Sequence, residues 1–207
     1  MISLSTFAFF VLGSLALIAS PGPDFLYVLS RGMAQGRRAG VLSAVGISLG
    51  LLFHTALATL GLTALLQTSA VAFAVVKTIG ALYLLWLGVK MWRSRELVGD
   101  VAVAPIEYSK VVRQGVLTNV FNPKVALTFL AFLPQFVQPK HGSSSFQVAV
   151  FGVTLVLLAL IWFSFVGYFA GSVGSWIRRR PRFSLWVQKQ TASVLIALGV
   201  RLALAKR

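Results

Sequence analysis

Long apolar runs broken by short polar connections dominate the chain. Six stretches, at positions 4–29, 41–66, 71–92, 115–137, 146–177 and 183–205, are mostly apolar over twenty residues or more. That is the length an α-helix needs to cross a hydrocarbon core. The runs are apolar on every side, as lipid-facing or fully buried helices are. They lack the ten-residue alternation of barrel strands. The stretches 41–66 and 146–177 hold no formal charge, and the others carry isolated charges, mostly near their ends, where long side chains snorkel to the interface. The fifth stretch exceeds the need of one span, so its 171–177 end is expected to leave the bilayer. The first has no basic residue before Arg31, so it lacks the basic start of a signal peptide and is expected to stay as the first span.

Composition agrees with this pattern. Of 207 residues, 57% are hydrophobic and 11% charged, against about 25% charged in a soluble domain. The mean hydropathy is +0.86. Nineteen basic against four acidic residues give a net charge of +15, which on a soluble chain would suggest nucleic acid. Here the basic residues are bunched between the runs, so no nucleic-acid partner is expected. Their placement reports orientation instead. Eleven lie in the connections after stretches one, three and five (Arg31, Arg37 and Arg38; Arg93, Arg95, Lys110 and Arg113; Arg178, Arg179, Arg180 and Arg182), against Lys140, Lys206 and Arg207 on the other side. Both termini are therefore expected outside the cytoplasm. The chain has no cysteine and two histidines, so neither disulfides nor thiol chemistry is available, and no metal or other cofactor is expected.

One connection is longer and more polar than the rest. Positions 93–112 hold three of the four acids, Glu96, Asp100 and Glu107, and read as a cytoplasmic linker between a first repeat, 1–92, and a second, 113–207, of one transmembrane domain. Three spans per half force the second half to enter from the opposite side, the requirement for an inverted repeat. A weak internal match supports this. Gly13 and Pro21 are spaced as Gly115 and Pro123 are, at a constant offset of 102.

Both prolines lie inside the first span of their half. Pro21-Gly22-Pro23-Asp24 should interrupt its helix rather than bend it, because proline removes a backbone donor and glycine adds freedom. Irregular backbone at membrane depth is tolerated only beside protein or a water-filled cavity. Asn119-Val-Phe-Asn122-Pro123-Lys124 is the equivalent break in the fourth stretch, with Asn122 suited to cap a half-helix starting at Pro123. The two breaks are expected to meet near the midplane. Asp24 is the one acid outside the linker region, and a carboxylate at that depth must be paired, protonated or hydrated. A structural ion pair with Lys124 or Arg31 is the bland account, and a substrate or proton site the sharper one. His54, in mid-span, is either a neutral histidine bonded to a neighbouring helix or a proton relay. Lys77 is expected to snorkel. Gly46-x-x-x-Gly50 and Gly167-x-x-x-Gly171 favour close helix approach and leave a homodimer open.

The motifs together resemble one family. Pro21-Gly22-Pro23-Asp24 with Ser30-Arg31-Gly32, then Gly40, Gly46-Ile47 and Gly50, and Gly80-Ala81-Leu82-Tyr83-Leu84-Leu85-Trp86-Leu87-Gly88, are similar to the lysine-exporter (LysE-type) family of bacterial amino-acid exporters. Gly115, Asn119, Asn122-Pro123-Lys124 with Ala126, and Phe132-x-Pro134-Gln135-Phe136 extend the resemblance through the second half. It implies a bacterial inner-membrane secondary transporter that exports neutral or basic amino acids, or close derivatives, mostly by proton antiport. The family carries an acid or an amide at position 24.

Two functional classes compete on the residues. In the first, helix ends at the breaks (Pro21, Gly22, Pro23, Asp24, Asn119, Asn122, Pro123 and Lys124) bind a zwitterion. Asp24 then meets the ammonium or the proton, Lys124 the carboxylate, and His54 is the other proton-coupling candidate. The alternative is a membrane-embedded enzyme, or a channel or assembly subunit, using Asp24 and His54. One acid and one histidine without a metal motif or nucleophile elbow make a thin catalytic set.

Overall fold

The computed structural model describes residues 2–62 and 106–204 and, between them, residues 78, 81, 82, 85, 86, 88–90, 92 and 93. These are helical apart from short connections. Helix α1 (Leu4–Ala19) is capped by Ser3, whose hydroxyl accepts the Thr6 N–H at 3.2 Å. Helix α2 (Pro23–Gln35) follows after a three-residue break, with Gly22 as its extended N-cap and Pro23 in the first turn. The two halves meet at 57°. Proline and glycine thus interrupt this helix, as their backbone chemistry requires.

A single residue then reverses the chain. Gly36 has φ of 85°, the left-handed region that glycine enters without a Cβ penalty, and α3 (Arg37–Leu57) starts at once. Its last turn widens into a π-helix over Ala58–Leu62, which the hydrophobic pattern did not signal. After the described gap come α4 (Tyr108–Val120), α5 (Pro123–Ala131), α6 (Ser144–Tyr168), α7 (Ala170–Arg179) and α8 (Pro181–Leu204). Two short 3-10 turns, Leu133–Phe136 and Pro139–His141, link α5 to α6.

Two helices are long and apolar enough to cross a membrane on their own, Arg37–Gly61 and Ser144–Tyr168. Each bent pair, Leu4–Ala19 with Pro23–Gln35 and Tyr108–Val120 with Lys124–Phe136, passes as one broken span, the second bent by 55°. Among the described residues this gives two to four candidate spans. Most of the third stretch, with Lys77, lies outside the described residues. The sixth is one helix of 24 residues, about 36 Å long at 1.5 Å per residue, but less apolar than the other two.

Several boundaries differ from the hydrophobic pattern. The first span continues to Gln35, so Arg31 lies in α2 and is buried rather than sitting in a connection. Helix α4 begins at Tyr108, inside the expected linker. The fifth stretch divides at Phe169, and its last part is the separate helix α7. The two glycines paired by the offset of 102 meet different neighbours. Gly13 faces the Phe132 ring, whereas Gly115 faces the backbone of Ser43 and Gly46. The prolines that open half-helices are Pro23 and Pro123, 100 positions apart.

The core is aromatic at one end and glycine-tight at the other. Phe10 packs within 4.6–5.5 Å of the Phe132, Phe136 and Phe151 ring centres, joining α1 to α6 and the turn after α5. Along α3, a Cβ on Gly40 would lie 2.3 Å from the Gly167 carbonyl oxygen, and one on Gly46 would lie 2.4 Å from that of Val112. The small-residue motifs therefore serve helix packing within this chain. Gly171 has nothing within 4 Å. Helix α6 is apolar on two faces: Leu155, Ala159 and Phe163 are buried, while Leu157, Ile161 and Phe165 are more than half exposed. Such an outward row suits lipid, not water.

Candidate functional site

The two breaks meet. Where α1 ends at Ala19, its last carbonyls have no partner within the helix, and an extended Ser20 turns the chain away. Where α4 ends at Val120, Asn122 stands extended ahead of α5, and its Oδ1 accepts the Lys124 N–H at 3.0 Å. This is the cap expected of Asn before Pro at the first helical position.

Two opposite charges occupy equivalent places in the two breaks. Asp24 follows Pro23 at the start of α2, and Lys124 follows Pro123 at the start of α5. Each reaches across to the other break. Asn119 Nδ2 donates to Asp24 Oδ2 at 2.8 Å, and Asn122 Nδ2 donates to Oδ1 at 3.1 Å. Lys124 Nζ donates to the carbonyls of Leu17 and Ser20 at 3.2 and 3.0 Å and to the Ser20 hydroxyl at 2.6 Å. A cation at a helix C-terminus and a carboxylate at a helix N-terminus both lie where the helix dipole favours them. The structural ion pair with Lys124 is not what holds Asp24. Both of its oxygens are bonded by neutral amides, and Arg31 Nη2 donates to Gln114 Oε1 at 2.9 Å.

His54 bonds across to α4. Its Nε2 lies 3.3 Å from the Asn119 backbone oxygen, so the nitrogen is the donor there, and the ring stacks on Phe129 at 5.6 Å. It supports the residue that holds Asp24 without bonding to Asp24 itself. Gly50 leaves the space that Asn119 fills, since a Cβ there would stand 2.7 Å from the Asn119 side chain.

A cavity of about 50 Å³ opens between the breaks, lined by Ser20, Gly22, Asp24, Asn122 and Lys124 and elsewhere mostly by apolar side chains. It has room for about three or four waters. Among the expected residues, Gly22, Asp24, Asn122 and Lys124 line it. Asn119 is fully buried behind Asp24, Pro23 and Pro123 sit in the first turns of the half-helices, and Pro21 lies between Ser20 and Gly22 in the break. Ser20 was not singled out in advance. Its signal is local, a hydroxyl at the last position before a helix-breaking Pro-Gly-Pro. No cluster of metal-ligating side chains occurs among the described residues.

The comparisons with known proteins agree with one another. An uncharacterised membrane protein of Vibrio cholerae is 32% identical over 199 residues, covering 95% of this chain and 96% of its own. A leucine efflux protein of Enterobacter sp. is 29% identical, over 94% of this chain and 93% of its own. A homoserine/homoserine lactone efflux protein of Salmonella typhimurium is 28% identical, over 95% of each. No solved structure matches the chain. The LysE type translocator family matches over residues 15–206, nearly the whole length and both breaks. The chain is a membrane protein of the LysE type translocator family, transporters and not enzymes.

Proposed function

We propose that this protein exports an amino acid or close derivative across the bacterial inner membrane, in exchange for protons. Six spans in two inverted repeats, with both termini outside, frame the site. One observation carries the reading. Asp24 and Lys124 face one cavity, yet neither is neutralised by the other through a bond: asparagine amides hold the first, and carbonyls and a hydroxyl hold the second. Such neutral partners can be exchanged for the ammonium and carboxylate of a zwitterion. The leucine and homoserine efflux relatives support that substrate class. With Arg31 removed from the count of connections, ten basic residues against three still favour outside termini.

Exchange needs proton and substrate to compete for one group. Asp24 meets this requirement. Ionised, it pairs with the substrate ammonium; protonated, it releases it. His54, bonded to a backbone carbonyl, fills a supporting role. The test is counterflow in proteoliposomes loaded with leucine, alanine or homoserine. Labelled amino acid should enter against its gradient, and failure with every amino acid of a full panel would refute the reading.

A further inference from the structure

Resting on that reading, we propose that Ala159 sets the side-chain specificity of the exporter, admitting an uncharged side chain of limited size and turning away a basic one. Among the described residues, every ionisable group lining the cavity comes from the two breaks, whereas α6 contributes only Leu155, Ala159 and Phe163. These recur every four residues, so they form one face of the helix, and all are 4% exposed or less. Leu51 of α3 and Phe129 of α5 complete an apolar lining. Among the described lining residues, the one polar side chain outside the breaks' charged cluster, Thr128, already donates its hydroxyl to the Lys124 carbonyl at 2.7 Å. With its ammonium and carboxylate held at Asp24 and Lys124, a substrate directs its side chain at this apolar lining.

A basic side chain would find no counter-charge there among the described residues. Among the described residues, Asp24 is the single carboxylate of the lining. The other described acid, Glu107, stands ahead of α4, exposed and paired with Lys110. A buried ammonium without a partner is strongly disfavoured. Ala159 is the smallest residue of the α6 face, so the wall stands furthest back there. In a cavity of about 50 Å³, a few added carbons at this position remove much of the space.

The experiment is counterflow in proteoliposomes, using whichever of labelled leucine, alanine or homoserine the parental protein exchanges fastest, with unlabelled competitors. Alanine and leucine should compete in the parental protein and lysine should not. In Ala159→Val and Ala159→Phe, competition by leucine should weaken in that order, tenfold or more for Phe, while alanine still competes within about threefold. The Val variant keeps the test informative if Phe fails to fold, which melting of the purified protein would reveal. Lysine competing as well as leucine, or both variants weakening alanine and leucine alike, would overturn the inference. Absence of counterflow with any amino acid would refute the exporter reading itself, and the subsite with it.

Discussion

Asn122 performs two tasks that substitution can separate. Its Oδ1 caps α5 through the Lys124 N–H, and its Nδ2 donates to Asp24 Oδ1 at 3.1 Å. Serine retains the cap and loses the donor; alanine loses both; aspartate retains the cap and sets a second carboxylate against the first. The cap is worth about 1 kcal/mol, so Asn122→Ala should melt below Asn122→Ser by that amount. A hydrogen bond to a charged group contributes about 1.5–3 kcal/mol, roughly ten- to 150-fold in an equilibrium, which bounds the transport defect of the serine variant. Two carboxylates 3.1 Å apart repel by about 5 kcal/mol at an effective dielectric of 20. Asn122→Asp should therefore lose counterflow at alkaline pH, where both carboxyls are ionised. As the pH falls toward neutral, one carboxyl takes a proton and can donate to the other, so activity should partly return. Counterflow across pH, with melting as the folding control, reads all three variants. Parental activity of the aspartate variant at alkaline pH would refute the role given to this bond.

Other consequences concern packing, the histidine and topology. Gly167→Ala places a Cβ 2.4 Å from the Gly40 backbone, which cannot move aside cheaply, so melting should fall by the equivalent of about 2 kcal/mol or more. Gly171→Ala, in the same motif but with open space, should leave it unchanged, and equal effects would contradict the packing account. His54→Gln should cost about 1 kcal/mol of stability for the lost contact but leave the pH profile of transport in place; an altered profile would return the coupling proton to His54. Reporter fusions at Gly99 and Gly142 should read cytoplasmic and external, and a swapped result would invert the proposed topology.

The parts of this architecture that depend on local chemistry were legible in the sequence. Pro21-Gly22-Pro23 and Asn122-Pro123 announce helix breaks because proline and glycine act on their own backbone, and Asn122 announces its cap. The tertiary partners were not legible. Arg31 reads as a loop charge because nothing near it in sequence reveals Gln114, 83 positions away. Asp24 invites an ion pair with Lys124, yet two asparagines 95 and 98 positions away hold it. The glycine spacing says nothing of tertiary neighbours, an aromatic ring for Gly13 and a backbone for Gly115. Hydropathy marks which residues avoid water without saying whether lipid or another helix covers them, so α6, apolar on both faces, gave no sign of which row lines the cavity.

The central claim is that a proton and a substrate ammonium compete for Asp24. It is tested most directly by comparing the parental protein with Asp24→Asn in proteoliposomes of acidic interior. The variant keeps the shape of the site, since the Asn119 amide can turn its otherwise unpaired Oδ1 toward the new NH₂ group. Outflow of protons should drive the parental protein to concentrate labelled amino acid inside. Asp24→Asn, whose neutral amide resembles the protonated form that releases the ammonium, should bind and exchange amino acid weakly and build no gradient. Accumulation by Asp24→Asn at the parental rate would contradict the claim and leave Asp24 a structural residue.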